Sequence, residues 1–196
     1  MRTRNTEKME LVRNMTMQMV AANGIENFSV NSLAKACGIS VATLYIYYKD
    51  KDDLIAQVAI EEGTQLTNAI LKDFDPDQSF ETGLWQQWQS RAQYLMANPL
   101  SSSFLEKIHM SSYSEKVGGA ISNMFHNTMH RFVEGAVKRG ELVPLQVEAW
   151  WSVAFAPLYN LLRFHYQGRS ISKKPFALTD ELLRQTFEVV VKALKP

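Results

Sequence analysis

The residues best suited to a chemical task lie together in one stretch, Gly38-Ile39-Ser40-Val41-Ala42-Thr43-Leu44-Tyr45-Ile46-Tyr47-Tyr48-Lys49-Asp50-Lys51-Asp52-Asp53-Leu54. Val41, Ala42 and Thr43 are small and uncharged, so they can approach base edges and meet thymine methyls, and Thr43 adds a hydroxyl. Tyr45 and Tyr47 can put hydroxyls on phosphates with their rings against sugars. Lys49 stands just before a helix start, where its charge and the helix dipole both attract a phosphate. Ser29 and Asn31 open the preceding helix, which in such arrangements crosses the nucleic-acid backbone, so both are phosphate candidates. This is chemistry for holding DNA. The same spacing would also arise in an amphipathic helical hairpin with half-buried tyrosines.

Bond-making chemistry has no comparable set of residues. The four histidines are His109, His126, His130 and His165. His126 and His130 are spaced i, i+4, a face compatible with a metal, but no cysteine or HExxH-type glutamate accompanies them. Gly118-Gly119 is not a phosphate-binding loop, and no nucleophile elbow is present. The sequence therefore predicts no catalytic residue, no metal site and no cofactor.

The elements that must position the 38–54 stretch are helical throughout. Proline and glycine are scarce, alternating β-branched runs are absent, and apolar residues recur at three- and four-residue steps. A first helix is predicted over 5–22, with Val12, Met15, Thr16, Met19 and Val20 on one face. Asn23-Gly24 ends it. Ser29 caps a short helix over 30–37, with Leu33, Ala34 and Cys37 inward. Gly38 turns the chain, and Ser40 caps the next helix, 41–47. Two short helices around a glycine turn make a helix-turn-helix, whose second helix enters the major groove. Asp50 caps a long fourth helix reaching about 74, in which Gly63 is a soft point. Asp75-Pro76-Asp77 breaks the chain. Helices follow over 79–97 and 100–110, then a joint at 111–119 marked by serines and Gly118-Gly119. The remaining helices are 120–139, 146–167 and 179–194. The expectation is an all-α protein of about nine helices. A three-helix helix-turn-helix domain at the N-terminus is joined by a long linker helix to a C-terminal antiparallel bundle. The helix-turn-helix domain is placed at 1–51 and a second, helical and dimerising domain at 52–196.

The helix at 146–167 is apolar on more than one face, so it needs a partner beyond its own domain's core. A second copy is the simplest one, and with the last helix it would form an intermolecular four-helix bundle. The interface is accordingly expected at Trp151, Leu158 and Leu162, with Leu183, Phe187 and Val190.

Composition narrows the classes without choosing among them. The 196 residues carry a net charge of +1, so the chain as a whole is no polyanion binder. Residues 1–51 hold seven basic and four acidic groups, a local excess of +3. Cys37 is the single cysteine, which rules out an intrachain disulfide and fits a cytoplasmic location. No apolar run approaches the roughly 20 residues of a membrane span.

The stretch Gly38 to Leu54 closely resembles the signature of the TetR family of bacterial transcription regulators. Gly38, Ile39, Ser40, Ala42, Thr43, Leu44, Tyr45, Tyr47, Lys51, Asp52, Asp53 and Leu54 fit its pattern, as do Gly24, Phe28-Ser29-Val30, Leu33 and Ala34 upstream. The resemblance spans roughly Val12 to Leu54. Three positions depart from it: Tyr48 where Phe is usual, Ile46 where an aromatic is common, and Val41 where a polar residue is frequent. The departures shift the expected base readout towards methyl contacts and DNA shape. The resemblance implies a homodimer on a palindromic double-stranded operator, most often a repressor released by a small molecule. It also implies that the 52–196 domain binds an effector, in a pocket among the fifth to eighth helices, where an aromatic and sulfur-rich set occurs: Trp85, Trp88, Phe104, Met110, Tyr113, Met124, Phe125, Met129, Phe155 and Tyr159. His109, Asn160 and Arg163 are the polar groups expected to give selectivity to a largely apolar ligand. The rival readings are a helical enzyme or binder with a vestigial helix-turn-helix, and an adaptor that binds protein.

Overall fold

Nine α-helices account for the regular structure of the described residues: α1 (Arg2–Asn23), α2 (Val30–Ala36), α3 (Val41–Leu44), α4 (Lys51–Leu71), α5 (Phe80–Ala97), α6 (Pro99–His109), α7 (Ser114–Lys138), α8 (Val147–Gln167) and α9 (Asp180–Leu194). The computed structural model describes residues 2–196, with side chains for all except residues 2–5 and 122–124. The only β pairing among them is an isolated antiparallel bridge, Arg169 to Pro175. No helix among them is long and apolar enough to cross a membrane.

The expected helix order holds, and three boundaries move, one being the end of α4, at Leu71 instead of about 74. α3 stops at Leu44, because the N–H groups of Tyr47 and Tyr48 both donate to the Leu44 carbonyl at 3.0 Å and close the chain into turns. α7 starts at Ser114, so Gly118 and Gly119 are helical and the joint is confined to 110–113. Buried Val117 anchors that first stretch of α7.

By contacts the chain separates into two compact groups, and each draws on two stretches of sequence. The first comprises 1–65 and 98–122, the second 66–97 and 123–196. These packing groups differ from a functional division at 51/52, because α6 and the start of α7 are built into the N-terminal group. Phe104, Ile108 and Val117 share a core with Val12, Leu33 and Leu44. α6 packs against α1.

Caps fix the short helices of the first group. Ser29 Oγ accepts the N–H of Ser32 and Ser40 Oγ that of Thr43, each such cap being worth about 1 kcal/mol. Gly38, at φ +64°, supplies the left-handed residue that the turn between α2 and α3 requires. At the start of α4 a reciprocal pair forms. Asp50 Oδ1 accepts the N–H of Asp53 at 2.8 Å, and Asp53 Oδ2 accepts that of Lys49 at 2.9 Å. Gly63 is a site of close approach: a Cβ there would lie 2.2 Å from Ile121 Cδ1 of α7. Arg13 of α1 pairs with Glu61 of α4 at 2.6 Å and lies 3.6 Å from buried Glu62.

In the second group α5 packs against α8 and α9, and α8 against α9. Phe80, Leu84, Trp88, Phe132, Phe155 and Phe187 fill the core. This packing bears on the expected dimer face. Leu158, Leu162, Leu183, Phe187 and Val190 are all buried within the one chain, and Trp151 is half-buried against them. The second apolar side of α8 is covered by α5 and α9 of the same protomer. What α8 and α9 expose is a different set, which includes Val153, Ala156 and Val189.

Candidate nucleic-acid interface

α2, the Gly38 turn and α3 place most of the expected DNA-contacting side chains at the surface. Asn31, Ala42, Tyr45, Tyr47 and Lys49 are exposed, and Ser29, Val41 and Thr43 are half-buried. Each half-buried residue has a structural task as well. Ser29 is the α2 cap, and Val41 packs against the core of the first group. The Thr43 hydroxyl lies 2.9 Å from Ser40 Oγ. Leu44, between Thr43 and Tyr45, is fully buried and holds α3 to the core.

The two lysines of the stretch divide the work. Lys51 Nζ donates to the Ile25 carbonyl at 3.5 Å and lies over the Phe28 ring, so it ties down the loop between α1 and α2. The Lys49 backbone is held by Asp53 while its side chain is exposed, so its charge faces solvent next to the exposed tyrosines. Tyr48 takes an edge position, half-buried beside Gln57, Val58, Ile60 and Glu61 around a depression of ≈ 320 Å³. Burial pushes its phenol pKa up, and the Glu61 and Asp53 charges add to that.

Sequence reasoning missed Ile46 as a contact. It is 74% exposed, an apolar side chain held out between Tyr45 and Tyr47. An isoleucine that far from any core, in a turn that follows a groove-reading helix, has the right chemistry for a sugar or methyl contact.

The expected effector residues do not form one group. Phe104, His109, Met110 and Tyr113 belong to the first packing group, whereas Trp85, Trp88, Phe125, Met129, Phe155 and Tyr159 belong to the second. Phe104 is core, His109 is exposed and Met110 is 84% exposed. Tyr113 donates its hydroxyl to Asp52 Oδ1 at 2.5 Å, and burial followed by that carboxylate drives its pKa well above the ordinary phenol value. Met124 lies outside the described side chains. Asn160 and Arg163 are exposed on α8. In the second group Trp88, Met129 and Phe155 are buried, Trp85 and Phe125 half-buried, and Tyr159 is 36% exposed.

The polar residue of that group which sequence reasoning missed is Arg91, only 2% exposed. Its guanidinium carbon lies 4.5 Å from the centre of the Phe155 ring, 5.5 Å from Phe125 and 5.6 Å from Trp151. Nη2 donates to Gln87 Oε1 at 3.2 Å, and the Tyr159 hydroxyl oxygen accepts a further hydrogen bond from the guanidinium. Burial lowers its pKa from the usual guanidinium value. The signal was legible: residues 84, 88, 91 or 92, and 95 form the inward stripe of α5, and an arginine stands within it. No group of three or more His, Cys, Asp or Glu side chains among the described residues could hold a metal.

Comparison with known proteins agrees with this geometry. Residues 14–58 match the family described as bacterial regulatory proteins, tetR family. The chain is 30% identical over 161 residues to an uncharacterized helix-turn-helix transcriptional regulator of Haemophilus influenzae, covering 82% of this chain and 84% of that one. Among solved structures it is similar to a TetR family transcription regulator from Marinobacter aquaeolei, with TM-score 0.82, 26% identity, and coverage of 99% of this chain and 98% of the other. A TetR-family regulator structure from Haemophilus influenzae, 24% identical, has the same fold with TM-score 0.77 over 98% of each chain. A helix-turn-helix match set inside a chain-long relationship leaves one assignment: this protein belongs to the TetR family of bacterial regulatory proteins, and is a DNA-binding transcription regulator and not an enzyme.

Proposed function

We propose that the protein is a homodimeric repressor, released from a roughly palindromic operator by a small, largely apolar effector. The observation that carries the DNA-reading part is the exposed, uncharged face of Ala42, Tyr45, Ile46 and Tyr47, flanked by exposed Lys49. No residue from Val41 to Lys49 is acidic, so none of them repels phosphate. Ala42 and Thr43 take base edges, Val41 adds the part of its surface that the core leaves open, and Tyr45, Tyr47, Lys49, Ser29 and Asn31 take the backbone. With few donors at its leading edge, such a reader draws specificity from thymine methyls and from DNA shape.

Residues 1–51 act as the reading head and 52–196 as the sensing and pairing part. The effector site belongs to the aromatic set of α5, α7 and α8, with Trp85, Phe125 and Tyr159 at its accessible edge. The paired face uses the exposed side of α8 and α9, around Val153, Ala156 and Val189. Two-fold pairing sets two recognition helices about 35 Å apart, one turn of DNA. Coupling of about 1–3 kcal/mol between effector and operator would lower operator affinity some 5–150-fold. Support for coupling comes from α6 and the start of α7, whose Phe104, Ile108 and Val117 are built into the reading head's core.

Selection of bound sequences from random DNA tests this reading, repeated with a panel of metabolites. The expected result is an inverted repeat with A·T-rich half-sites, lost with one class of metabolite. Failure of the folded protein to enrich any sequence at low salt would sink it.

A further inference from the structure

Four buried side-chain polar atoms among the described residues have no hydrogen-bond partner: Arg13 Nε, Arg91 Nε, Ser101 Oγ and Trp150 Nε1. Arg91 and Trp150 fall in the second packing group, and they share two aromatic neighbours. Trp150 packs edge-on against Phe155 at 5.6 Å and against Trp151 at 6.0 Å, two of the three rings over which Arg91 lies. Both are 2% exposed. The same core satisfies such groups elsewhere, since Trp88 Nε1 donates to the Ala154 carbonyl at 2.8 Å.

Among the described residues Arg91 also has no counter-charge: its polar partners there are Gln87 and Tyr159, and no carboxylate acts on it. A guanidinium stays protonated even where burial lowers its pKa. Aromatic faces offset part of the cost of burying it, but a buried ion is normally paired. A well-packed apolar side chain would serve stability as well or better. The two unmatched atoms are both N–H donors, beside a positive charge and inside apolar aromatic walls. The missing group is therefore an acceptor carrying negative charge, attached to an apolar body. A carboxylate is planar like the guanidinium and fits its fork.

We propose that Arg91 and Trp150 form the anion-holding end of the effector site, and that the effector is a monocarboxylate with an apolar body; this rests on the effector reading above. The carboxylate accepts from Arg91 Nε and Trp150 Nε1, while the apolar body lies against Phe125, Trp151 and Phe155. Tyr159 is bonded to Arg91 and is 36% exposed, so it marks where the cluster reaches the surface and where the ligand enters.

The test uses the full chain and a panel of straight-chain carboxylates from butanoate to dodecanoate, with benzoate and phenylacetate, each beside its primary alcohol. Affinity is read by calorimetry and by tryptophan fluorescence, and release of operator DNA is read in parallel. At least one carboxylate is expected to bind about tenfold or more tighter than its alcohol, the effect of a charge-assisted hydrogen bond. Arg91→Met should abolish that preference without weakening the alcohol, and Arg91→Lys should keep part of it. Trp150→Phe should weaken the carboxylate several-fold and spare the alcohol, and it decides the matter if Arg91→Met does not fold. Equal binding of every acid–alcohol pair, binding of no carboxylate, or an unchanged preference in these variants would overturn the anchor. If alcohols release DNA and carboxylates do no better, the anchor fails and the effector reading survives. If a carboxylate binds through Arg91 and DNA stays bound, the anchor stands and the effector reading falls.

Discussion

Gly63 offers a prediction in which two opposing energies can be set against each other. It is buried in α4, and an added Cβ would stand 2.2 Å from Ile121 Cδ1 and 3.5 Å from Ile121 Cγ1. Carbon atoms rest about 3.5–4.0 Å apart, so Cγ1 can stay and Cδ1 must move by more than about 1 Å. Forcing it aside costs about 1–3 kcal/mol. Against that, alanine is favoured over glycine inside a helix by about 1 kcal/mol. Gly63→Ala should therefore range from neutral to about 2 kcal/mol destabilising. Ile121→Val removes Cδ1, the atom in the way, and alone costs about 0.5–1.5 kcal/mol, towards the lower end because Ile121 is only half-buried. In the double variant the clash is gone and the helix gain remains, so the pair should be more stable than the sum of the singles by about 1–3 kcal/mol. Urea denaturation of the four proteins measures this coupling. Additivity within about 0.5 kcal/mol would refute the close approach of α4 and α7 at this point.

Lys49→Ala should weaken binding to all DNA sequences and reduce the slope of log affinity against log salt by about one per reading head, with helicity unchanged; titration at several salt concentrations checks it. Val189→Asp should shift the sedimentation profile from dimer to folded monomer, whereas Leu162→Asp, which puts a charge into the single-chain core, should unfold the protein. A folded Leu162→Asp monomer would support the interface first expected from the sequence. Glu141 accepts from Arg139 at 3.0 Å and from the Phe80 N–H at 2.7 Å, and these bonds hold its carboxyl below the usual carboxylate range. A depressed carboxylate adds stability above its unfolded pKa, about 4.3, and loses it as pH falls through the folded value. The Tm deficit of Glu141→Gln should accordingly be largest near neutral pH and fade as pH drops below the ordinary carboxylate range.

The helices were legible because their signals are local. Ser29, Ser40 and Asp50 cap the helices they were expected to cap, and the spacing of apolar residues gave the order of all nine. What the sequence could not decide was which neighbour covers an apolar face. α8 is apolar on two sides whether it packs on α5 and α9 of its own chain or on another copy, and periodicity is the same in both cases. The glycine pair at 118–119 read as a break because glycine is poor in helices, yet a helix anchored by packing tolerates it. Ile46 was discounted by comparison with a pattern, although an isoleucine beyond the last buried residue of α3 had nowhere to pack. Arg91 was passed over because selectivity was sought among polar residues outside the apolar stripes, while the informative one lay inside a stripe.

The chain leaves the first packing group after residue 65, returns to it for 98–122, and leaves again. The reading head is therefore not a removable N-terminal piece. A fragment ending at Lys51 or at the Asp75-Pro76 break would lack Phe104, Ile108 and Val117, which share a core with Val12, Leu33 and Leu44. A chimera that gives this head to another sensor must transplant two stretches of sequence together. For the same reason, substitutions in α1 and α6 of diverging relatives are expected to change in concert, although some eighty residues separate them along the chain.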